Sequence, residues 1–182
     1  MMMGIPFRVV GTRELATHHR VALHADDVVW PDGTESTYGV FRQPDAAVIV
    51  AISDSSTTFI VRQWRHSWKD DAWELPAGTM EEGEDPLQTA RRELVEEAGL
   101  EAARWDALGT ARATAVSTMR FHFFLARGLA SVPRRPEIYE QDMVIRELPL
   151  PEALDLAAEG VIQHAASIAA LFRANRFVEA EG

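Results

Sequence analysis

Cysteine is absent from the chain, which removes disulfide cross-links and thiolate chemistry from the explanations open to it. No apolar run is long enough to span a bilayer, and the opening Met-Met-Met-Gly-Ile-Pro-Phe-Arg is too short for a signal peptide. A cytoplasmic protein with no membrane partner is therefore expected. Basic charge is scarce: 18 Lys and Arg face 28 Asp and Glu, for a net charge of −10, which argues against a nucleic-acid partner. The six histidines show no metal-ligand spacing. Repeats, low-complexity tracts and evident linkers are also missing, so 182 residues with 47% apolar content suit one compact domain with a small appendage.

What the chain has in excess is local acidity. Residues 74–101 carry nine acids and two arginines, −7 of the total, and residues 78–100 alone hold seven carboxylates. The helix signals there are strong. Asp85 is a good N-cap, Pro86 suits the first helical position, Gln88 completes a capping box, and Gly99 is placed to end the helix left-handed. In the resulting helix, about 86–98, Leu87, Leu94 and Ala98 share one narrow arc. Glu93, Glu96 and Glu97 span an arc of roughly 100° beside it.

That acid face opposes stability. Glu93 meets Glu96 and Glu97 at i,i+3 and i,i+4, each like-charge pair costing ~0.2–0.5 kcal/mol, and Glu96 and Glu97 also lie near the negative end of the helix dipole. Arg92 offsets only part of this. A hard divalent cation with oxygen ligands, Mg2+ or Mn2+, accounts for the arrangement better than a solvated surface does. A phosphorylated substrate would be repelled by the bare segment, so metal would carry the attraction and arginines from elsewhere would grip the outer oxygens.

The remaining chain reads as strands with two late helices. Residues 20–24 and 37–42 flank the turn signal Pro31-Asp32-Gly33 and suggest an antiparallel pair. Further strands are expected over 46–52, 59–63, 105–113, 121–126 and 143–148. Pro151 starts a helix that Gly160 stops, and 165–174 forms a last helix with Ile168, Leu171 and Phe172 on its buried side. This mixture fits an α/β or α+β sandwich.

Gly78, Glu84, Arg92, Glu93, Leu94, Glu96, Glu97, Gly99 and Leu100 satisfy every fixed position of G-x5-E-x7-R-E-U-x-E-E-x-G-U, where U is aliphatic. The segment is identified as a Nudix box, and the chain resembles Nudix hydrolases over roughly residues 20–175. Val61-Arg62-Gln63-Trp64-Arg65-His66, Trp73-Glu74-Leu75-Pro76-Ala77-Gly78 and the tail 159–168 are similar to the ADP-ribose pyrophosphatase-like group. The resemblance implies a Nudix α/β/α sandwich with a mixed sheet (residues 44–182), plus a small N-terminal antiparallel sheet (residues 1–43) that pairs two subunits into a homodimer.

It also implies hydrolysis of a nucleoside diphosphate sugar at its pyrophosphate bond, ADP-ribose giving AMP and ribose 5-phosphate being the leading case. The expected metal ligands are Glu93 and Glu97, then Glu96 and the backbone carbonyl of Ala77. Glu84 and Arg92 would brace them. Gln63, Trp64 and Arg65 are the substrate-binding candidates, Arg65 because a guanidinium binds two phosphate oxygens at once. Glu140, with Glu137 second, is the candidate general base, and a box glutamate such as Glu96 is the fallback.

One stretch departs from that group. Thr114-Ala115-Val116-Ser117-Thr118-Met119 lacks its proline and glutamate, which leaves the chemistry intact and the preferred sugar open. Two other functions stay in play: a Nudix hydrolase of a GDP-sugar, dinucleoside polyphosphate or oxidised nucleotide, and a non-catalytic nucleotide-sensing module.

Overall fold

A computed structural model describes residues 6–136, 138 and 140–181. Two compact units emerge: residues up to Pro44 together with Arg112–Arg120, and Asp45–Ala111 together with residues from Phe121 onward.

The first unit is a three-stranded antiparallel sheet in the order β1 (Arg8–His18), β2 (Val21–Val29), β3 (Glu35–Arg42). The turn expected at Pro31-Asp32-Gly33 is present. Gly33 sits at φ 87°, in the left-handed region that glycine tolerates, and the Asp32 carboxylate accepts the Thr34 N–H at 2.9 Å. The sequence pattern predicts no strand at β1, because nearly every residue in it is exposed and no two-residue alternation marks it. The departing stretch 114–119 belongs to this unit as well. Phe41 donates its N–H to Val116 O at 2.8 Å and accepts from Thr118 N–H at 2.9 Å, while Gln43 Nε2 donates to Ser117 Oγ at 3.0 Å.

The second unit is built on β4 (Ala46–Ile52), Ala-Ala-Val-Ile-Val-Ala-Ile, buried along its whole length. An uninterrupted apolar strand must be covered on both faces. Its even-numbered residues Val48, Val50 and Ile52 pack with α2 (Leu150–Ala158) and α3 (Ala165–Glu181). Its odd-numbered residues Ala47, Ile49 and Ala51 pack with Ala90, Leu94 and Ala98 of α1 (Pro86–Ala98). The result is the α/β/α sandwich with a mixed sheet.

Around β4 lie β5 (Thr57–Arg65), β9 (Arg120–Ser131), β8 (Leu100–Arg112) and β10 (Val144–Pro149), in the order β10-β5-β4-β9-β8. The β4–β9 pairing is parallel, and β5 runs antiparallel to both β4 and β10. Strands β4 and β5 meet only at Ile52↔Thr58 and then part. The opening is filled by β6 (Asp70–Glu74), paired to β5, and β7 (Ala77–Thr79), paired to β4. This wedge delivers Glu74, Ala77 and Gly78 to the site. Among the described residues, no helix is long and apolar enough to cross a membrane.

Helix α3 corrects one expectation. Leu171 is buried, but Ile168 is 38% and Phe172 64% exposed, and the buried face consists of Ala166, Ser167, Ala170, Leu171 and Ala174. Small side chains let the helix approach the sheet closely, and that face wins over the one with the larger residues.

Candidate active site

Helix α1 has the bounds and caps its sequence specifies. Asp85 accepts from the N–H groups of Leu87 and Gln88 at 2.8 and 2.9 Å, and Gln88 Oε1 accepts the Asp85 N–H at 2.8 Å. Gly99 closes the helix at φ 64°, ψ 38°. The face so fixed buries two carboxylates beside Leu94: Glu93 is 6% and Glu97 2% exposed.

Both are held against the wedge. Glu97 Oε2 accepts the Ala77 N–H at 2.7 Å. A Cβ on Gly78 would lie 1.8 Å from Glu93 Oε1, so any other residue there would push the Glu93 carboxylate out of its present position, while the backbone angles of Gly78 make no such demand. Glu140 completes the group: one oxygen each of Glu93, Glu97 and Glu140 lie within 4.8 Å of one another. Arg134, which no local sequence motif marks, ties the Glu140 segment to the end of α1. Its guanidinium donates to the main-chain oxygens of Glu96 (3.3 Å), Met143 (3.4 Å) and Glu140 (3.5 Å).

Electrostatically the three carboxylates conflict. Burial raises Glu93 to about 7, against the pull of Arg92 and with further push from Glu96 and Glu140. Burial first, then the charge of Glu93, holds Glu97 well above the ordinary carboxylate range despite the bond from Ala77. A cation among them reverses that balance. Clustered oxygen donors, of which Glu93 and Glu97 resist ionisation when bare, with space kept for Glu93 by a missing Cβ, fit a hard divalent ion.

Arg92 organises the outer ring. Its Nε and Nη2 donate to both oxygens of Glu84 at 2.8 and 3.0 Å, Nη1 donates to Glu93 Oε1 at 2.7 Å and Glu96 Oε2 at 2.9 Å, and Nη2 reaches Thr79 O at 3.1 Å. These bonds raise Arg92 further above its ordinary value and lower Glu84 to about 2, Arg92 being the main cause and the Glu81 N–H and Thr89 hydroxyl adding to it. Glu96 thus faces Arg92 and stands outside the Glu93–Glu97–Glu140 cluster. Glu137 lies outside the described residues.

Of the substrate-binding candidates, Trp64 is 57% exposed, Gln63 is half-buried, and Arg65 is anchored from behind. Arg65 Nε and Nη2 donate to the two oxygens of Glu74 at 2.6 and 2.5 Å. Glu74, a fully buried carboxylate, and His164 beside it were not among the sequence-derived site residues. The signal for Glu74 was its place in Trp73-Glu74-Leu75-Pro76-Ala77-Gly78, two residues after buried Ala72 on the inward face of β6.

The fold is shared with a known hydrolase. A crystal structure of an ADP compounds hydrolase superposes with a TM-score of 0.87 at 19% identity, covering 100% of this chain and 99% of that one. The NUDIX domain model matches residues 42–171. Sequence relatives include ADP-ribose pyrophosphatases of Mycobacterium tuberculosis, 36% identical over 90% of this chain and 80% of that protein, and of Bacillus subtilis, 30% identical over 85% of each. A methanol dehydrogenase activator of Bacillus methanolicus is 31% identical over 90% of each. The chain belongs to the Nudix family, and it is a Nudix pyrophosphohydrolase.

Proposed function

We propose that this protein hydrolyses ADP-ribose, or a closely related nucleoside diphosphate sugar, to a nucleoside monophosphate and a sugar phosphate. The convergence of Glu93, Glu97 and Glu140 within 4.8 Å carries the reading. Glu93, Glu97 and the Ala77 carbonyl would hold Mg2+ or Mn2+. Such an ion supplies charge neutralisation at the diphosphate and a lowered pKa for water.

The chain's own residues do the rest. Water attacks one phosphorus of the bridge, the bond from that phosphorus to the bridging oxygen breaks, and the Glu140 carboxylate takes the proton the water sheds. Arg92 keeps Glu84, Glu93 and Glu96 in place, and Glu96 offers a second proton acceptor if Glu140 is removed. Arg65 takes phosphate oxygens, while Gln63 and the exposed Trp64 flank the nucleoside or sugar. The N-terminal sheet, with Val9, Val10, Leu15, Val21, Tyr38 and Phe41 exposed, pairs two copies into a homodimer.

A hydrolysis panel with Mg2+, Mn2+ or EDTA tests this over ADP-ribose, ADP-glucose, GDP-mannose, NADH and diadenosine polyphosphates, with products separated by chromatography. Fastest turnover of ADP-ribose, abolished by EDTA, supports the reading. A preference for another member reassigns the substrate, and no turnover on any favours a nucleotide-sensing module. The Bacillus methanolicus relative favours a second reading, in which the protein acts on a dehydrogenase. Stimulation of a purified alcohol dehydrogenase without hydrolysis of any panel member would support that instead.

A further inference from the structure

We infer that Glu74 is a positioning residue that fixes which edge of the Arg65 guanidinium is offered to a phosphate. The inference rests on the assignment of Arg65 to substrate given above. A guanidinium carries five N–H donors in a rigid plane. Glu74 takes the Nε edge of that plane through two bonds, at 2.6 and 2.5 Å. Three donors remain, both on Nη1 and one on Nη2; one from each nitrogen forms the adjacent end-on edge, and among the described residues no hydrogen bond to Nη1 is found. Arg65 is 35% exposed at its side chain while Glu74 is 1% exposed, so the pair is open to solvent from the arginine and closed at the carboxylate. Glu97 and Glu140 act electrostatically on Arg65, which places the guanidinium in the field of the carboxylate cluster.

Glu74 is itself locked. His164 Nδ1 lies 3.4 Å from Glu74 Oε2 and 2.9 Å from Ser167 Oγ, and Ser167 Oγ accepts the N–H of Leu75, the residue after Glu74. Phe121 packs edge-on against the His164 ring. Burial lowers the His164 pKa, so the imidazole is neutral near pH 7 and leaves Arg65 as the cation paired with Glu74. An arginine held by two charge-assisted bonds loses little further freedom when it meets a phosphate, which is the physical gain of the arrangement.

Steady-state kinetics on ADP-ribose with Mg2+ tests this in Glu74→Gln, Arg65→Lys, the double variant, and the apolar pair Arg65→Met/Glu74→Met. A grip exerted equally in the ground and transition states appears in KM. Glu74→Gln is expected to raise KM on the order of tenfold or more with a smaller change in kcat, and to weaken inhibition by AMP in parallel. In the Arg65→Lys background the same change should do much less, because lysine has no second edge to orient. The Met/Met pair removes the buried ion pair without stranding a charge, so it should fold and still show the raised KM.

Wild-type KM in folded Glu74→Gln, or effects of Glu74→Gln and Arg65→Lys that multiply independently, overturns the inference while leaving the hydrolase reading intact. If the wild-type protein fails to hydrolyse ADP-ribose, the hydrolase reading falls separately. Calorimetric binding of ADP with Mg2+ then decides: weaker binding to Glu74→Gln than to wild type supports the inference, and equal binding overturns it.

Discussion

Helices α1 and α3 pack on opposite faces of β4 and invert each other's chemistry. Helix α1 buries Glu93 and Glu97, while α3 leaves Ile168 and Phe172 in solvent and buries alanines. In α1 burial serves the carboxylates: a helix optimised for stability would not place two acids where burial raises both and the charge of Glu93 raises Glu97 further. In α3 burial serves distance, since Ala166, Ala170 and Ala174 present a flat surface to the sheet and only Leu171 adds bulk. Polarity alone therefore predicts neither face. What the neighbouring element requires decides both.

The sharpest way to break the contrast is Glu97→Gln. Turnover should fall on the order of a thousandfold with the fold retained, because a neutral amide replaces a carboxylate that burial already disfavours. Wild-type-like turnover in a properly folded variant would falsify the assignment of α1's buried face to the metal. Next in size is Leu171→Ala, expected to cost about 2–5 kcal/mol in denaturant unfolding, since Leu171 is fully buried in the α3–β4 layer. A loss below half a kilocalorie would show that layer to be looser than described.

The pH dependence follows from the same carboxylates. Glu93 ionises near 7 in the folded chain against an ordinary value of 4.5, so the folded state holds a proton across that window that the unfolded state has released. Metal-free protein should lose stability as pH rises from about 4.5 to about 7, with Glu97 acting in the same sense. Glu84 acts oppositely: its contribution is present above 4.5 and is lost as pH falls toward about 2. Thermal melts in EDTA and in Mg2+ between pH 5 and 8 check this, the gap between the two being expected to widen with pH. A constant gap would mean that the buried acids do not titrate with the ion. Smallest of all should be Phe172→Ser, within about 0.5 kcal/mol of wild type.

How far the sequence could be read follows the same division. Helix α1 was legible to the residue, since Asp85, Gln88 and Gly99 carry local signals that need no tertiary context. So was β4, whose seven apolar residues admit only a doubly covered strand. Strand β1 was not, because exposed strands leave no alternation to detect, and the inward face of α3 was not, because its larger apolar residues Ile168 and Phe172 point away from the sheet that the alanines approach. At the site, Glu93, Glu97 and Glu140 converge as a set, whereas Glu96 turns to Arg92. The Arg65–Glu74 pair and the Arg134 tether stayed hidden, since a charge's partner across 9 residues of strand or 38 residues of chain has no signature in local spacing.

The pairing of β4 also sets the order in which the protein can assemble. Ala46 lies opposite Phe121 and Ile52 opposite Arg127, so a strand of seven apolar residues waits for a partner some 75 positions downstream. Parallel contacts that distant pay their loop-closure entropy before any return, which makes folding slow and leaves β4 open to wrong partners meanwhile. During synthesis β5 and β7 can meet one edge of this strand early, but the edge that β9 takes stays open until β9 has emerged, and the charged, self-capped α1 is the first helix able to cover a face of it. Pulse-labelled hydrogen exchange during refolding should accordingly find α1 protected before the β4–β9 ladder.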